Sequence, residues 1–378
     1  MIKKVISALK FLFYTVLILT ISVEVFSFAA TKLNLLIINE EPNYYKSYGN
    51  KWRTENTEWG SWHKSNFKDR HTKKCFDVTY ESNNLGARDD EDYNNNLPKN
   101  SILLIGDSFA EGYGVNLKQT FSKILENKTG RKVLNFGSAG HFGAVQQEIL
   151  YRKLASKLPH NEIIYFFLPS NDFTDNDRRF WNSKLHKFRH RPYFKKINEN
   201  NYDIFYPKNN QKKFFIAIND FIFNRLQIFL LKYTYTSNTL RSINALYSKF
   251  NKSKNIVVQD EKVGDSYFFN DEESINGTLF FSKKILSNAS KLERRILIVI
   301  PTLKDLKNIE NGKIYKDLKW YVKLKEISLK TNTKFFDLAD HFNKNEYTKM
   351  IYKCDNHWSP KGHNFIADLI IKKFFNIY

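Results

Sequence analysis

The chain is 378 residues long, 42% hydrophobic and 16% aromatic, and this apolar content excludes a disordered polycation despite a formal net charge of +21. Two cysteines exclude a disulfide-dense scaffold, and no Cys/His cluster has zinc-ligand spacing, so neither a metal nor a cofactor is expected. The charge invites a nucleic-acid partner, but Lys far outnumbers Arg and rises together with Asn, Ile and Phe, which reads as compositional bias. No nucleic-acid partner is expected.

In chain order, the first element is the run from Val5 to Ala30, apolar except for Lys10, Glu24 and a few hydroxyls. It is long enough to cross a hydrocarbon core of ~30 Å as a helix. Lys3, Lys4 and Lys10 lie at its N-terminal end, so the positive-inside rule sends everything after Thr31 across the membrane, to a periplasmic or cell-surface location. Ser27-Phe28-Ala29 resembles a signal-peptidase site, which makes a cleaved signal the competing reading. Glu24 stands where a signal peptide is still apolar and favours a retained anchor over residues 1–30.

Residues 31–98, with Trp52, Trp59 and Trp62 close together, read as an irregular, strand-containing approach segment packed on the main domain. From residue 99 to 378 the pattern changes. Five short apolar runs are predicted strands: Ser101 to Ile105, Lys132 to Phe136, Ile163 to Leu168, Ile296 to Ile300 and Lys334 to Leu338. Helix-length stretches separate them, as in a doubly wound α/β/α sandwich around a mainly parallel five-stranded sheet. The third connection, from Pro169 to Leu292, is too long for one crossover and carries an insertion at about 176–290. Within it, Phe214 to Leu231 has helical spacing and is expected as a lid over the strand ends.

Chemistry gathers at those ends. Gly106-Asp107-Ser108-Phe109 puts a serine on the turn between the first strand and a helix, where open α/β sheets bind ligands; Gly106-Asp107-Ser108 is also an ordinary N-cap turn. Near the C-terminus, Asp355-Asn356-His357-Trp358 precedes an apolar-periodic helix from Phe365 to Phe375. A serine hydroxyl attacks a carbonyl only when a base takes its proton, and an imidazole does so best when a carboxylate fixes its tautomer. Asp355 and His357 supply that pair, or else merely cap the terminal helix.

Together these residues resemble the SGNH (GDSL-like) hydrolase superfamily over roughly residues 80 to 378. The resemblance implies Ser108 as nucleophile, His357 as base and Asp355 as its orienting carboxylate. Asn135-Phe136-Gly137-Ser138-Ala139-Gly140 looks like the second block, which implies that the Gly140 N–H faces the oxyanion. Pro169-Ser170-Asn171-Asp172 looks like the third, which implies the same for the Asn171 side chain, with the Ser108 N–H as the remaining donor. Pro169 departs from the family's glycine. The short Asp-x-His-Trp block resembles SGNH proteins that modify exported polysaccharides. The function implied is a membrane-anchored extracytoplasmic serine esterase, hydrolase or acyltransferase, acting on an O-acylated carbohydrate. A lipolytic enzyme or thioesterase, and a non-catalytic glycan-binding or assembly protein, are the alternatives.

Asp107 is expected to hold the turn, His363 to pack in the terminal helix, and His141 to lie on the surface. Asp340 competes with Asp355 as the partner of His357. Cys75 and Cys354 are expected as free thiols, with a tether of the His357 loop as the alternative. Arg178, Arg179, Lys184, Lys187, Arg189, Arg191, Lys195 and Lys196, among Phe180, Trp181, Phe188, Tyr193 and Phe194, form either a surface for an anionic glycan or lipid headgroup or a plain solvated face.

Overall fold

Strands covered by helices on both faces read as unbroken apolar runs rather than alternating ones, and all five predicted runs are strands within a residue or two of their expected bounds. The computed structural model describes residues 2–38, 42, 52–73, 75–181, 191–207, 226, 229–255 and 266–375. In chain order, α1 (Ile2–Lys32) is followed by two antiparallel hairpins, β1–β2 (Arg53–Asn56, Gly60–His63) and β3–β4 (Phe67–Lys73, Phe76–Ser82). Next come β5 (Ile102–Gly106), α2 (Ser108–Glu111), α3 (Phe121–Thr129), β6 (Val133–Gly137), α4 (Ala144–Lys153) and β7 (Glu162–Phe167). After β7 lie α5 (Pro169–Asp175), the hairpin β8–β9 (Tyr193–Lys196, Tyr202–Phe205), α6 (Thr236–Asn255) and α7 (Glu272–Asn288). Then follow β10 (Arg294–Val299), α8 (Leu303–Glu310), α9 (Lys319–Lys330), β11 (Lys334–Asp337), α10 (Lys344–Thr348) and α11 (Pro360–Phe374).

The chain divides into two compact units, residues 1–48 with 211–261, and residues 49–210 with 262–378. In the larger unit the sheet runs β6-β5-β7-β10-β11 with every pair parallel. The chain leaves β5 for β6 on one side and returns to β7 on the other. That reversal opens a crevice at the carboxyl ends of the strands. Successive side chains alternate between two cores. Leu103, Ile105, Tyr165 and Leu297 meet α4, α7 and α9 through Ile149, Leu279 and Trp320. Ile102, Leu104, Ile164 and Ile298 meet α3 and α11 through Phe121, Ile366 and Ile370.

Trp62 stacks on Phe136 with centroids 6.2 Å apart, and buried Arg88 lies 3.5 Å over the Tyr80 ring, so residues ahead of β5 complete the sandwich. α11 starts five residues before the expected Phe365, because Ser359 caps Gly362 N–H and Pro360 occupies the first turn, where no N–H is needed. Of the stretch Phe214 to Leu231, Leu226, Phe229, Leu230 and Leu231 are described; the rest lies outside the described residues.

The smaller unit is built on α1, which is long and apolar enough to cross a membrane. The Thr15 and Thr20 hydroxyls donate to the Phe11 and Val16 carbonyls, so they are satisfied within the helix. Its C-terminal end is different. Glu24, Ser27 and Thr31 recur at helical spacing and bond to α6: Glu24 accepts from the Tyr235 and Thr236 N–H groups (2.7 and 2.9 Å) and the Thr236 hydroxyl (2.7 Å). Ser27 meets Thr239 (2.8 Å), and Asn238 donates to Thr31 (3.0 Å).

Candidate active site

β5 runs straight into the serine turn. Asp107 caps α2 by accepting the Phe109 N–H at 3.0 Å, which leaves Ser108 as the first helical residue at the sheet's carboxyl edge. At Gly137 a Cβ would stand 2.2 Å from the Glu111 nitrogen, so β6 passes this helix at backbone distance only as glycine.

The His357 side is a folded turn. Tyr352 N–H donates to His357 O (2.8 Å), Asn356 N–H donates to Tyr352 O (2.8 Å), and Ile351 bridges Trp358. Asn356 takes a left-handed conformation (φ 63°), which an Asn tolerates. The reversal puts the side chains of Asp355 and His357 together although they are two residues apart. His357 Nε2 lies 2.8 Å from Ser108 Oγ, and its Nδ1 is hydrogen-bonded to Asp355 Oδ1. The Phe109 and Tyr113 rings flank the imidazole at 5.1 and 4.8 Å. Asp340, the competing partner, instead pairs with Lys316 at 2.5 Å.

Two further ties hold this turn. Lys73 donates to Asp355 Oδ2 at 2.7 Å. Burial alone would raise the Asp355 carboxyl, but the hydrogen bonds and charges of His357 and Lys73 outweigh it and hold the group at about 2. Cys354 is disulfide-bonded to Cys75, with Cα atoms 6.0 Å apart, so the expectation of free thiols is corrected. The tip of β3–β4 lies against the turn, a contact across 279 residues that no local pattern announces. Lys73 belongs to the same tip.

Gly140 follows β6 with φ 89°, and Ser138 N–H extends the β5–β6 ladder to Gly106 O (3.1 Å), which brings this loop beside the serine turn. A Cβ on Gly140 would stand 1.6 Å from Nη1 of Arg53, whose guanidinium lies on the glycine. Arg53 Nε is buried with no hydrogen-bond partner among the described residues. Burial lowers the Arg53 pKa, opposed by the charges of Glu111 and Tyr113. Glu111, fully buried, accepts the Ala139 N–H and has His63 Nε2 at 3.5 Å, which fixes the loop from beneath. Sequence reasoning missed Arg53, Lys73 and Glu111. Only Glu111 left a trace, one helical turn after Ser108.

Asn171 sits in the first turn of α5, where Pro169 takes the N-terminal position that suits proline. Its Nδ2 is 3.5 Å from Asp107 Oδ2, and that same oxygen is 3.4 Å from Ser108 Oγ. The Asn171 amide therefore shares a carboxylate oxygen with the serine. Burial pushes the Asp107 and Asp172 carboxyls up, Asp172 furthest, with the Asp107 charge adding to it.

His363 is buried and accepts the Phe121 N–H at 3.2 Å; burial, then the charges of Arg88 and His357, pull it down to about 3, so it acts in packing. His141 is half-exposed and bonds Asp175 at 3.1 Å. Trp358 is fully buried and donates to the Tyr347 hydroxyl, so this ring is part of the core. The basic and aromatic cluster is partly dismantled. Residues 182–190 lie outside the described residues, Arg179 is held by Asp177 and Asp271, and Tyr193 and Phe194 are buried. Arg191 is buried too and donates to His141 O at 2.6 Å.

No protein-family model matches the chain, and no curated protein is similar to it in sequence. Among solved structures it is similar to a member of the lipolytic protein G-D-S-L family from Veillonella parvula DSM 2008, at 11% identity and TM-score 0.37, covering 73% of this chain and 98% of that one. A second, a G-D-S-L family protein from Desulfitobacterium hafniense DCB-2, has 12% identity and TM-score 0.28, with 72% and 98% covered. A third, a carbohydrate acetylesterase family member from Sinorhizobium meliloti, has 8% identity and TM-score 0.29, with 73% and 98% covered. The strand order β6-β5-β7-β10-β11, parallel throughout, is that of the expected doubly wound α/β/α sandwich. In the larger unit, Ser108, Gly140 and Asn171 follow β5, β6 and β7 in turn, while the Asp355–His357 turn arrives from a later part of the chain.

Proposed function

We propose that the chain is a membrane-anchored, extracytoplasmic serine esterase, hydrolase or acyltransferase, that acts on O-acyl groups of a carbohydrate. The observation that carries this reading is the relay from Asp355 through His357 to Ser108, with 2.8 Å between Nε2 and Oγ, at the sheet's reversal point.

With Nδ1–H donated to Asp355, Nε2 keeps its lone pair and receives the Ser108 proton as Oγ attacks the acyl carbonyl. The carbonyl oxygen becomes an oxyanion, for which the Ser108 and Gly140 N–H groups and the Asn171 amide are the donors. Each such donor typically contributes ~3 kcal/mol. Collapse breaks the bond to the alcohol oxygen, which takes the proton back from His357 and leaves an acyl-serine. Water or a sugar hydroxyl then repeats the sequence and regenerates the serine.

The disulfide supports an oxidising compartment. The bonds from Glu24, Ser27 and Thr31 to α6 support a retained anchor, because cleavage after Ala29 would strip the Glu24 cap from α6. The carbohydrate rests on the Asp-x-His-Trp resemblance. The purified full chain in detergent is expected to release acetate from acetylated oligosaccharides, to prefer acetyl over long-chain esters, and to lose this activity in Ser108→Ala. Turnover that survives Ser108→Ala, or a preference for long-chain esters, overturns it.

A further inference from the structure

The smaller unit carries a second apolar surface besides α1. On α6, Ser237, Asn238 and Ser242 are buried, and the last of these accepts the Ile38 N–H at 3.0 Å. The opposite side presents Leu240, Ile243, Leu246 and Tyr247 at 50%, 57%, 45% and 65% exposure. Steps of three and four residues place these four on one stripe. Phe229 and Tyr233, just ahead of α6, are also more than half exposed. A contiguous patch of this kind on a soluble surface marks an interaction site.

What covers it follows from where α6 is fastened. From Val5, about 20 residues of helix span a ~30 Å hydrocarbon core, so the far boundary falls close to Glu24. Glu24, Ser27 and Thr31 hold α6 at that level. At this boundary a carboxylate that caps a helix N-terminus is satisfied without further partners. Tyr233 and Tyr247 suit the same depth, because tyrosine favours the lipid–water interface.

We propose that residues 229–247 lie in the outer lipid–water boundary, with the Leu240–Ile243–Leu246–Tyr247 stripe among the acyl chains, so that the chain meets the bilayer through two elements. This rests on the retained-anchor reading. The polar side of α6 faces α1 and its apolar side faces lipid, the arrangement of an interfacial amphipathic helix.

The test uses the full chain in vesicles of phosphatidylcholine and phosphatidylglycerol. Cys75 and Cys354 are paired, so Ile243→Cys supplies a single thiol for an environment-sensitive fluorophore. Lys291→Cys, at an exposed site of the larger unit, is the aqueous control. The Ile243 label is expected to emit at shorter wavelength, to be quenched at least twofold more by shallow spin-labelled lipid than the control, and to resist iodide. Iodide quenching equal to that of the control overturns the proposal. Protection from both quenchers, with crosslinking between copies, overturns it in favour of a self-association face. Vesicle flotation after an alkaline wash separates the two readings, since its loss sinks the anchor itself.

Discussion

The two halves of the candidate triad are positioned by different means. Ser108 grows out of β5, whose residues are fully buried, and its turn is set by local bonds such as Asp107 to Phe109 N–H. His357 and Asp355 stand on a turn outside the sheet, and that turn is held by Cys75 and Lys73 from a hairpin 279 and 282 residues away. A nucleophile fixed by the core is hard to displace without unfolding. A base fixed by tethers is displaced by cutting them.

The largest effect expected from probing this contrast lies on the core side. Gly140→Ala drives a Cβ into the Arg53 guanidinium at a φ that alanine avoids, so the loop and its N–H must shift. The expected result is a fall in kcat of about 10²-fold with KM little changed, the size of losing one oxyanion donor. Steady-state kinetics on an acetyl ester checks it. If Arg53→Ala together with Gly140→Ala restores no activity, collision with Arg53 is not the cause.

Next comes the tether. Cys354→Ser is expected to lower stability by on the order of 2–5 kcal/mol in urea unfolding, and to reduce kcat by about tenfold while the protein remains folded. An unchanged kcat in the folded variant would show that the turn holds His357 unaided.

Strands were legible in the sequence because burial on both faces leaves continuous apolar runs, as in Ile102 to Ile105. Ser108, Asp355 and His357 were legible because each lies in a short block whose chemistry is local. Lys73 and Arg53 were not, because they act across the fold and nothing near them in sequence differs from an ordinary hairpin, and the Cys75–Cys354 tether was legible only as the alternative to free thiols. The basic cluster misled for a related reason: composition counts Arg191 as surface charge, whereas the fold spends it on the His141 carbonyl. Trp358 was legible as a motif letter but not as a core residue.

The smallest effect concerns acid. Asp355 is held at about 2 against an ordinary 3.8, so it contributes stability that is complete above about pH 4 and is lost as the pH falls through about 2. Lys73→Met removes one stabilising cation and raises that pKa. The urea midpoint of the variant is expected to begin falling at higher pH than that of the parent chain between pH 5 and 2, with kcat at neutral pH reduced only a few-fold. Coincident acid profiles would show that His357 alone holds the carboxylate.

One measurement tests the reading most directly: exposure of the folded full chain to a fluorophosphonate, followed by mass mapping of the adduct. The expected result is a single covalent adduct on Ser108, formed at least a hundredfold more slowly in His357→Ala. A folded chain that stays unlabelled at Ser108, or that labels at the same rate without His357, contradicts it.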